Sequence, residues 1–202
     1  MGGSDPPAGV VGRIERIREV VLSHIITFWK GQYDRHVVRL LSRYVPADAR
    51  RAYTILDAMC GSTFTNMAGL RLFFGHCASL SATDIDLLPG TKGPPGIAVF
   101  WADLLRPLPT AQRYDLITVF KPPTEALEQC IEVVLQNLAA ALRPGGYLFM
   151  VLGEEDHVGH MVAVMKRLGM AVITSEANTL PTNLEPGHRW VLVSRAPDAP
   201  SP

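Results

Sequence analysis

The chain has 202 residues, and its 19 basic and 19 acidic side chains give a formal net charge of zero. A general nucleic-acid binder carries a basic excess, so we expect nucleic acid not to be the partner. The hydrophobic content of 48% is sufficient for the core of one domain. Cys60, Cys77 and Cys130 form no C-x-x-C pair, which favours reduced thiols and a cytoplasmic location over a disulfide framework or a zinc site.

The first 50 residues predict a leader and a helical extension. Residues 1–12, and residues 197–202 at the other end, have the composition of a disordered leader and tail. Within residues 13–50, apolar side chains at spacings of three and four predict a helix over Ile14–Trp29 that ends at Gly31. Asp34 would cap a second helix that stops before Pro46. The pattern predicts burial, either as a packing layer or as a contact between two copies of the chain.

Residues 51–196 alternate between strand and helix patterns. No apolar run reaches the roughly 18 residues of a membrane span, so we expect no membrane partner. Helices are predicted at Met67–Phe74, Glu125–Leu142 and His157–Leu168. Strands are predicted at Thr54–Ala58, Ser79–Thr83, Ala98–Trp101, Leu116–Phe120, Tyr147–Leu152, Ala171–Ser175 and Arg189–Ser194. This order predicts a Rossmann-like α/β domain with a mostly parallel sheet of seven strands, covered by helices on both faces. The last two strands have no helix between them, so one of them must run antiparallel.

The stretch from Tyr53 to Arg71 has the pattern of a nucleotide-binding unit. The apolar pair Ile55 and Leu56 leads to Asp57, a turn of small residues follows, and a helix-like segment opens near Asn66. Strand, loop and helix in this order form the first unit of a Rossmann-like α/β domain, although the loop lacks the glycines of a dinucleotide fingerprint. The second predicted strand leads to Asp84, a carboxylate that can accept hydrogen bonds from both hydroxyls of a ribose. Together these features predict an adenosine-type cofactor.

Residues 57–62, DAMCGS, resemble motif I of class I S-adenosylmethionine (SAM) methyltransferases. They are closer to the D-P-x-C-G-S-G-T variant of enzymes that methylate amino groups of nucleic-acid bases. The resemblance implies that Asp57, Cys60, Gly61, Ser62 and Thr63 lie along the methionine part of SAM. The second glycine of that variant is either replaced by Thr63 or lost by a one-residue deletion. A Cβ at this position would crowd the place where the cofactor normally meets bare backbone. In such enzymes an N-terminal helical extension often covers the cofactor cleft and shapes the acceptor pocket.

Later segments are similar to HemK-like protein-glutamine N-methyltransferases and their small relatives. The matching stretches are TDID from Thr83, DLLRPLP from Asp103, YDLI from Tyr114 and KPP from Lys121. The resemblance implies the following cofactor contacts: Asp84 on the ribose, Ile85 on the adenine, and Asp103 and Leu104 at the adenine amino edge. Phe120 is a further candidate for a cofactor contact.

The motif that would bind the methyl acceptor departs from that family. Lys121, Pro122, Pro123 and Thr124 stand where the family has N-P-P-Y, whose Asn and first Pro carbonyl accept hydrogen bonds from the target nitrogen. A lysine ammonium has three donors and no acceptor, so glutamine methylation is not expected here. Lys121 could pair with an acidic substrate or act as the catalytic base, or it is a solvated residue at a strand end.

A metal site is not expected from this sequence. His157 and His160 are spaced to share a helix face beside Glu154 and Glu155, but this spacing matches no strong zinc pattern. Asp156 is better explained as a helix cap.

The leading hypothesis is a SAM-dependent methyltransferase that acts on a small molecule or a protein side chain. One alternative is a non-catalytic binding or scaffold protein with a methyltransferase fold, which the changes at Thr63 and Lys121 favour. Asp57, Asp84 and Asp103 count against that alternative, because all three cofactor-facing acids remain. A nucleic-acid base N-methyltransferase is a second alternative, against which Lys121, Thr124 and the neutral charge weigh.

Overall fold

A computed structural model describes residues 31–76, 78–122, 129–153, 155, 157–180 and 189–199. The predicted helix Ile14–Trp29 lies outside these residues. The described helices are α1 at residues 31–44, α2 at Met67–Phe74, α3 at Ile131–Ala141 and α4 at Val158–Arg167. The strands are β1 at Thr54–Ala58, β2 at Ser79–Asp84, β3 at Ile97–Trp101, β4 at Tyr114–Phe120, β5 at Leu142–Leu152, β6 at Ala171–Ala177 and β7 at Trp190–Arg195.

The seven strands form one sheet in the order β3-β2-β1-β4-β5-β7-β6. Neighbouring strands from β3 to β5 are parallel, whereas β7 runs antiparallel to both β5 and β6. The predicted Rossmann-like sheet and its antiparallel strand are therefore confirmed. The chain leaves β1 on one side towards β2 and returns on the other side as β4, so the order reverses there. Ligands of open α/β sheets bind at the carboxyl ends of strands at such a switch point.

The core has two layers because successive side chains of a buried strand point to opposite faces. In β1, Ile55 belongs to the cluster packed under α1 and α2, and Leu56 belongs to the cluster packed under α3 and α4. All five residues of β1 are buried, as a central parallel strand requires. Helices on both faces thereby hold the carboxyl end of β1 in place.

The helical extension differs from the prediction. Gly31 and Asp34 are both helical, so the predicted helix end at Gly31 and the predicted cap at Asp34 are wrong. Tertiary packing explains the difference, because a Cβ built on Gly69 of α2 would lie 2.6 Å from the Cβ of Val37 in α1. This close approach buries α1 against α2, and burial overrides the weak local signals of a glycine and an aspartate.

The beginning of α3 and the beginning of β5 also differ from the prediction. Residues 129–130 form a turn and α3 begins at Ile131, so the predicted helix Glu125–Leu142 is shorter; residues 123–128 lie outside the described part. Strand β5 begins at Leu142 instead of Tyr147. Gly145 has a φ of 72° inside β5, and the β4–β5 register shifts between Tyr114 and Leu116, so this early part of the strand is irregular. No helix within the described ranges has the length and apolar character needed to cross a membrane.

Candidate functional site

The loop between β1 and α2 is folded tightly at the switch point of the sheet. Met59, Gly61 and Phe64 have φ angles of 58°, 67° and 51°, in the left-handed region. A non-glycine residue adopts this region at a cost of roughly 1–2 kcal/mol, so Met59 and Phe64 need support from their surroundings. The backbone N–H of Cys60 supplies part of it by donating to the carbonyl oxygen of Thr83 at 3.2 Å. The loop is thereby fixed to the end of β2.

Asp84 joins this loop to the turn that follows β2. Its Oδ2 accepts a hydrogen bond from the backbone N–H of Gly61 at 2.8 Å, and its Oδ1 accepts one from Asp86 at 2.9 Å. The carboxyl group is almost buried, with 9% relative exposure of the residue. Because each carboxylate oxygen has two lone pairs, both oxygens keep acceptor capacity for a ligand.

A cavity with a volume of about 410 Å³ opens beside this junction. Its size falls within the roughly 300–1,000 Å³ typical of small-molecule sites. Five of the residues predicted to contact the cofactor line it together, namely Gly61, Asp84, Ile85, Asp103 and Leu104. Carboxylates at the edge of a largely apolar cavity can bind the hydroxyls of a ribose while the cavity holds a planar base.

Asp103 and Ile85 are held in place by local contacts. Asp103 Oδ1 accepts the backbone N–H of Leu105 at 3.0 Å, and Arg106 Nε lies 3.8 Å from Asp103 Oδ2. The Arg106 side chain is 81% exposed, so this ion pair is weak. Trp101 Nε1 donates to the carbonyl oxygen of Ile85 at 2.9 Å, which fixes the backbone at a residue that lines the cavity.

Asp57 lies beneath the loop and is not among the described residues that line the cavity. Its side chain is fully buried, and its oxygens accept hydrogen bonds from Thr118 Oγ1 at 2.8 Å and from Asn66 Nδ2 at 3.2 Å. Burial raises the pKa of Asp57 to about 7, although the bonds from Thr118 and Asn66 lower it. The negative charge of Asp84 raises this pKa further.

The remaining motif I residues take different positions. Cys60 is buried with its Sγ 3.4 Å from the carbonyl oxygen of Gly61, and burial raises the pKa of this thiol well above its usual range. Ser62 and Thr63 are exposed and do not line the cavity as described. Phe120 is buried, and its ring centroid lies 5.8 Å from that of Phe149. Contact of these four side chains with a cofactor stays a prediction.

The proposed acceptor turn is only partly described. Lys121 is exposed with a φ of 51°, and its backbone N–H donates to the carbonyl oxygen of Val151 at 2.7 Å. Pro122 is buried, and Pro123 and Thr124 lie outside the described residues. The backbone of this turn is therefore attached to β5 and leaves the Lys121 side chain exposed at the carboxyl edge of the sheet.

Several lining residues were not predicted from the sequence. Six further residues line the cavity: Met59, Asp86, Ala102, Leu105, Cys130 and Val134. Val134 belongs to the apolar stripe of α3, a pattern that indicates burial but not contact with a cavity. Asp86 is part of the TDID stretch, and this is the one sequence signal that could have indicated any of the six additional lining residues. Among the described residues, no group of three or more His, Cys, Asp or Glu side chains is arranged to hold a metal ion; Glu154 and Asp156 lie outside them.

Comparison with known proteins gives similarity in structure alone. No protein-family model and no curated protein sequence matches this chain. A TehB-like SAM-dependent methyltransferase from Corynebacterium glutamicum is 20% identical with a TM-score of 0.58, over 96% of this chain and 100% of that chain. The N-methyltransferase NodS from Bradyrhizobium japonicum, solved with S-adenosyl-L-homocysteine (SAH), is 17% identical with a TM-score of 0.59, over 84% and 88%.

An O-methyltransferase family protein from Burkholderia thailandensis is 15% identical with a TM-score of 0.57. The match covers 84% of this chain but only 60% of that protein, so the chain spans less than two thirds of its length. At these identities the similarity establishes the fold and not the activity. The chain has the seven-stranded Rossmann-like fold of SAM-dependent methyltransferases.

Proposed function

We propose that this protein is a SAM-dependent methyltransferase that transfers a methyl group to a small molecule or to a protein side chain. The observation that carries the proposal is the cavity at the switch point, where Gly61, Asp84, Ile85 and Asp103 meet. These residues come from three separate segments of the chain, and together they line a cavity of about 410 Å³. The SAH bound to NodS, a protein of the same fold, supports SAM as the cofactor.

The residues of the cavity supply binding and orientation. Both oxygens of Asp84 retain a lone pair for the ribose hydroxyls after accepting the N–H groups of Gly61 and Asp86. Ile85 and Leu104 offer apolar surface to the base, and Asp103 can accept from its exocyclic amine. When bound, SAM supplies an electrophilic methyl group on a sulfonium, so the protein mainly aligns the acceptor with it.

The acceptor side of the proposal concerns Lys121. Its exposed side chain stands on a backbone that is attached to β5 through Val151. A cation at this position favours an acceptor that carries a carboxylate, a phosphate or an acidic hydroxyl over a neutral amide. We therefore expect an acidic acceptor and not the glutamine of the HemK-like enzymes.

Calorimetric titration with SAM and with SAH tests the cofactor. We expect micromolar affinity for both ligands, with competition between them for one site per chain. Titration with free adenosine is the control, since adenosine would occupy the cavity without the methionine part of SAM. If neither SAM nor SAH gives heat at millimolar concentration, the proposal is wrong.

A non-catalytic binding protein with the same fold is the second candidate. Two observations favour it: Thr63 replaces a motif glycine, and Lys121 replaces the asparagine that would contact a target nitrogen. SAM binding without methyl transfer to any acidic, amine or hydroxyl acceptor, in the presence of an enzyme that removes SAH, would support this candidate over the enzyme.

A further inference from the structure

Asn66 occupies the N-cap position of α2 but does not cap the helix. Asparagine is among the best capping residues because its side-chain oxygen accepts a backbone N–H of the first turn. Here the side chain makes no cap hydrogen bond, and the residue is only 3% exposed. A buried side-chain amide that does not cap the helix is expected to have other hydrogen-bond partners.

Both ends of the Asn66 amide are used within the fold. Asn66 Nδ2 donates to Asp57 Oδ2 at 3.2 Å, and Asn66 Oδ1 accepts from the hydroxyl of Tyr33 at 2.7 Å. Thr118 Oγ1 donates to the other oxygen of Asp57 at 2.8 Å. The Tyr33–Asn66–Asp57–Thr118 chain of hydrogen bonds therefore connects α1, the loop, β1 and β4. The Tyr33 bond sets the amide so that its N–H faces Asp57.

Asp57 has only uncharged hydrogen-bond partners among the described residues. Among the described residues, Asp84 from β2 and the Cys60 thiol in the loop interact electrostatically with Asp57. The Tyr33 phenol from α1 is connected to Asp57 through Asn66, and β4 contributes the neutral Thr118. Asp84 and Cys60 add negative charge or none. Asp84, which lines the cavity, acts electrostatically on the Asp57 carboxyl group and raises its pKa. A positive ligand in the cavity would act in the opposite direction and stabilise the buried carboxylate.

We propose that Asn66, oriented by Tyr33, is a positioning residue that holds the Asp57 carboxylate in place beneath the cofactor loop. Through this hydrogen bond, Asn66 couples the ionisation of Asp57 to the binding of cationic SAM. The inference rests on the proposed function, because SAM carries both an ammonium and a sulfonium. Burial raises the pKa of Asp57 to about 7, so both ionisation states are populated near neutral pH. A positive ligand favours the charged state, so affinity for SAM should increase as pH rises through this range.

The test is SAM and SAH affinity measured by calorimetry from about pH 5.5 to 8.5. We expect wild-type affinity for SAM to rise by up to about tenfold per pH unit below the midpoint, and affinity for SAH to rise less because it lacks the sulfonium. Asn66→Ala removes a donor to the carboxylate and should move the midpoint upward by about one pH unit. Tyr33→Phe should move it in the same direction by less.

Thr118 offers a matched pair of controls. Thr118→Ser keeps the hydroxyl donor and should leave the midpoint unchanged, whereas Thr118→Val keeps the shape, loses the donor and should move the midpoint as Asn66→Ala does. If Asn66→Ala and Tyr33→Phe lower affinity equally at every pH and leave the midpoint in place, Asn66 is a structural residue and the inference is overturned.

A titration of the Asp57 side-chain carboxyl carbon by NMR in the ligand-free protein separates this inference from the proposed function. An upward midpoint shift in Asn66→Ala, and a smaller one in Tyr33→Phe, supports the control of Asp57 by Asn66. An unchanged midpoint in both variants overturns it. If the wild type binds neither SAM nor SAH, the proposed function fails together with the cofactor coupling, while this titration still decides the role of Asn66.

Discussion

The backbone N–H of Gly61 donates to Asp84 Oδ2 at 2.8 Å, so the loop after β1 is attached to the acid that ends β2. Asp84 therefore supports the loop as well as lining the cavity. Its carboxylate accepts a second N–H, from Asp86, and removal of the side chain would leave both donors without this acceptor.

We expect Asp84→Asn to lower the affinity for SAM by about 10- to 100-fold, because one charged acceptor for the ribose is lost. The amide oxygen can still accept one backbone N–H, but the amide NH2 faces the other donor, so the melting temperature should also fall. Glu176→Gln, the same charge change at an exposed position of β6, is the control and should leave affinity unchanged. Equal affinity of Asp84→Asn and wild type would remove Asp84 from the ribose site.

Asp103 should select adenine. Wild type should prefer SAM over an analogue whose base is hypoxanthine, since that base lacks the exocyclic amine. Asp103→Ala should lose most of this preference, and Asp103→Asn should lose less because its amide keeps an oxygen acceptor. Competition titrations with the two cofactors measure the ratio. A ratio that is the same in all three proteins would show that Asp103 does not contact the base.

Lys121 should contribute charge to the acceptor site. Lys121→Met keeps the length without the charge, and should spare SAM affinity while lowering methyl transfer to acidic acceptors. Lys121→Asn is a matched control for the backbone, because asparagine tolerates the φ of 51° better than most residues. It should be at least as stable as wild type and just as impaired in transfer. Wild-type turnover by Lys121→Met on an acidic acceptor would contradict the acidic-acceptor proposal.

The stability of the protein should depend on pH through Asp57. The folded-state pKa of Asp57 is raised from 3.8 to about 7. The contribution of Asp57 to the free energy of unfolding is therefore fully present below pH 3.8, and it is lost as pH rises through about 7. The free energy of unfolding of wild type, relative to neutral Asp57→Asn, should therefore fall by at most about 1.4 kcal/mol per pH unit in that range. Urea denaturation of both proteins at several pH values measures this difference. A constant difference would mean that Asp57 has an ordinary pKa.

Gly69 should be required for the contact between α1 and α2. An added Cβ would lie 2.6 Å and 2.7 Å from the Cβ and Cγ1 of Val37, so Gly69→Ala should destabilise the protein by about 1–3 kcal/mol. The matched control is Gly159→Ala in α4, where a Cβ meets nothing within 4 Å. This control should be neutral or should gain up to about 1 kcal/mol from helix propensity. Urea denaturation measures the free energy of unfolding of the two variants. Equal values would show that α1 shifts to accommodate the extra methyl group.

The sequence alone predicted the elements whose signals are local. Strand β1 at Thr54–Ala58 and helix α2 at Met67–Phe74 have the predicted bounds, because a buried apolar run and an apolar helix face are each encoded within a few residues. The alternation of such elements also predicted the parallel sheet with one antiparallel strand. Asp84 ends β2 and Asp103 follows β3, and the carboxyl ends of parallel strands meet at one edge of the sheet, so both residues line the same cavity. Their contact with a cofactor stays a prediction.

Tertiary structure decided the features that depend on contacts between distant segments. Gly31 and Asp34 resemble a helix end and a cap, but packing of Val37 against Gly69 keeps the backbone helical there. Asn66 resembles a capping residue, yet its amide lies between Tyr33 and Asp57. Burial depends on how the layers pack, so no local pattern could show that Asp57 lies beneath the loop instead of lining the cavity.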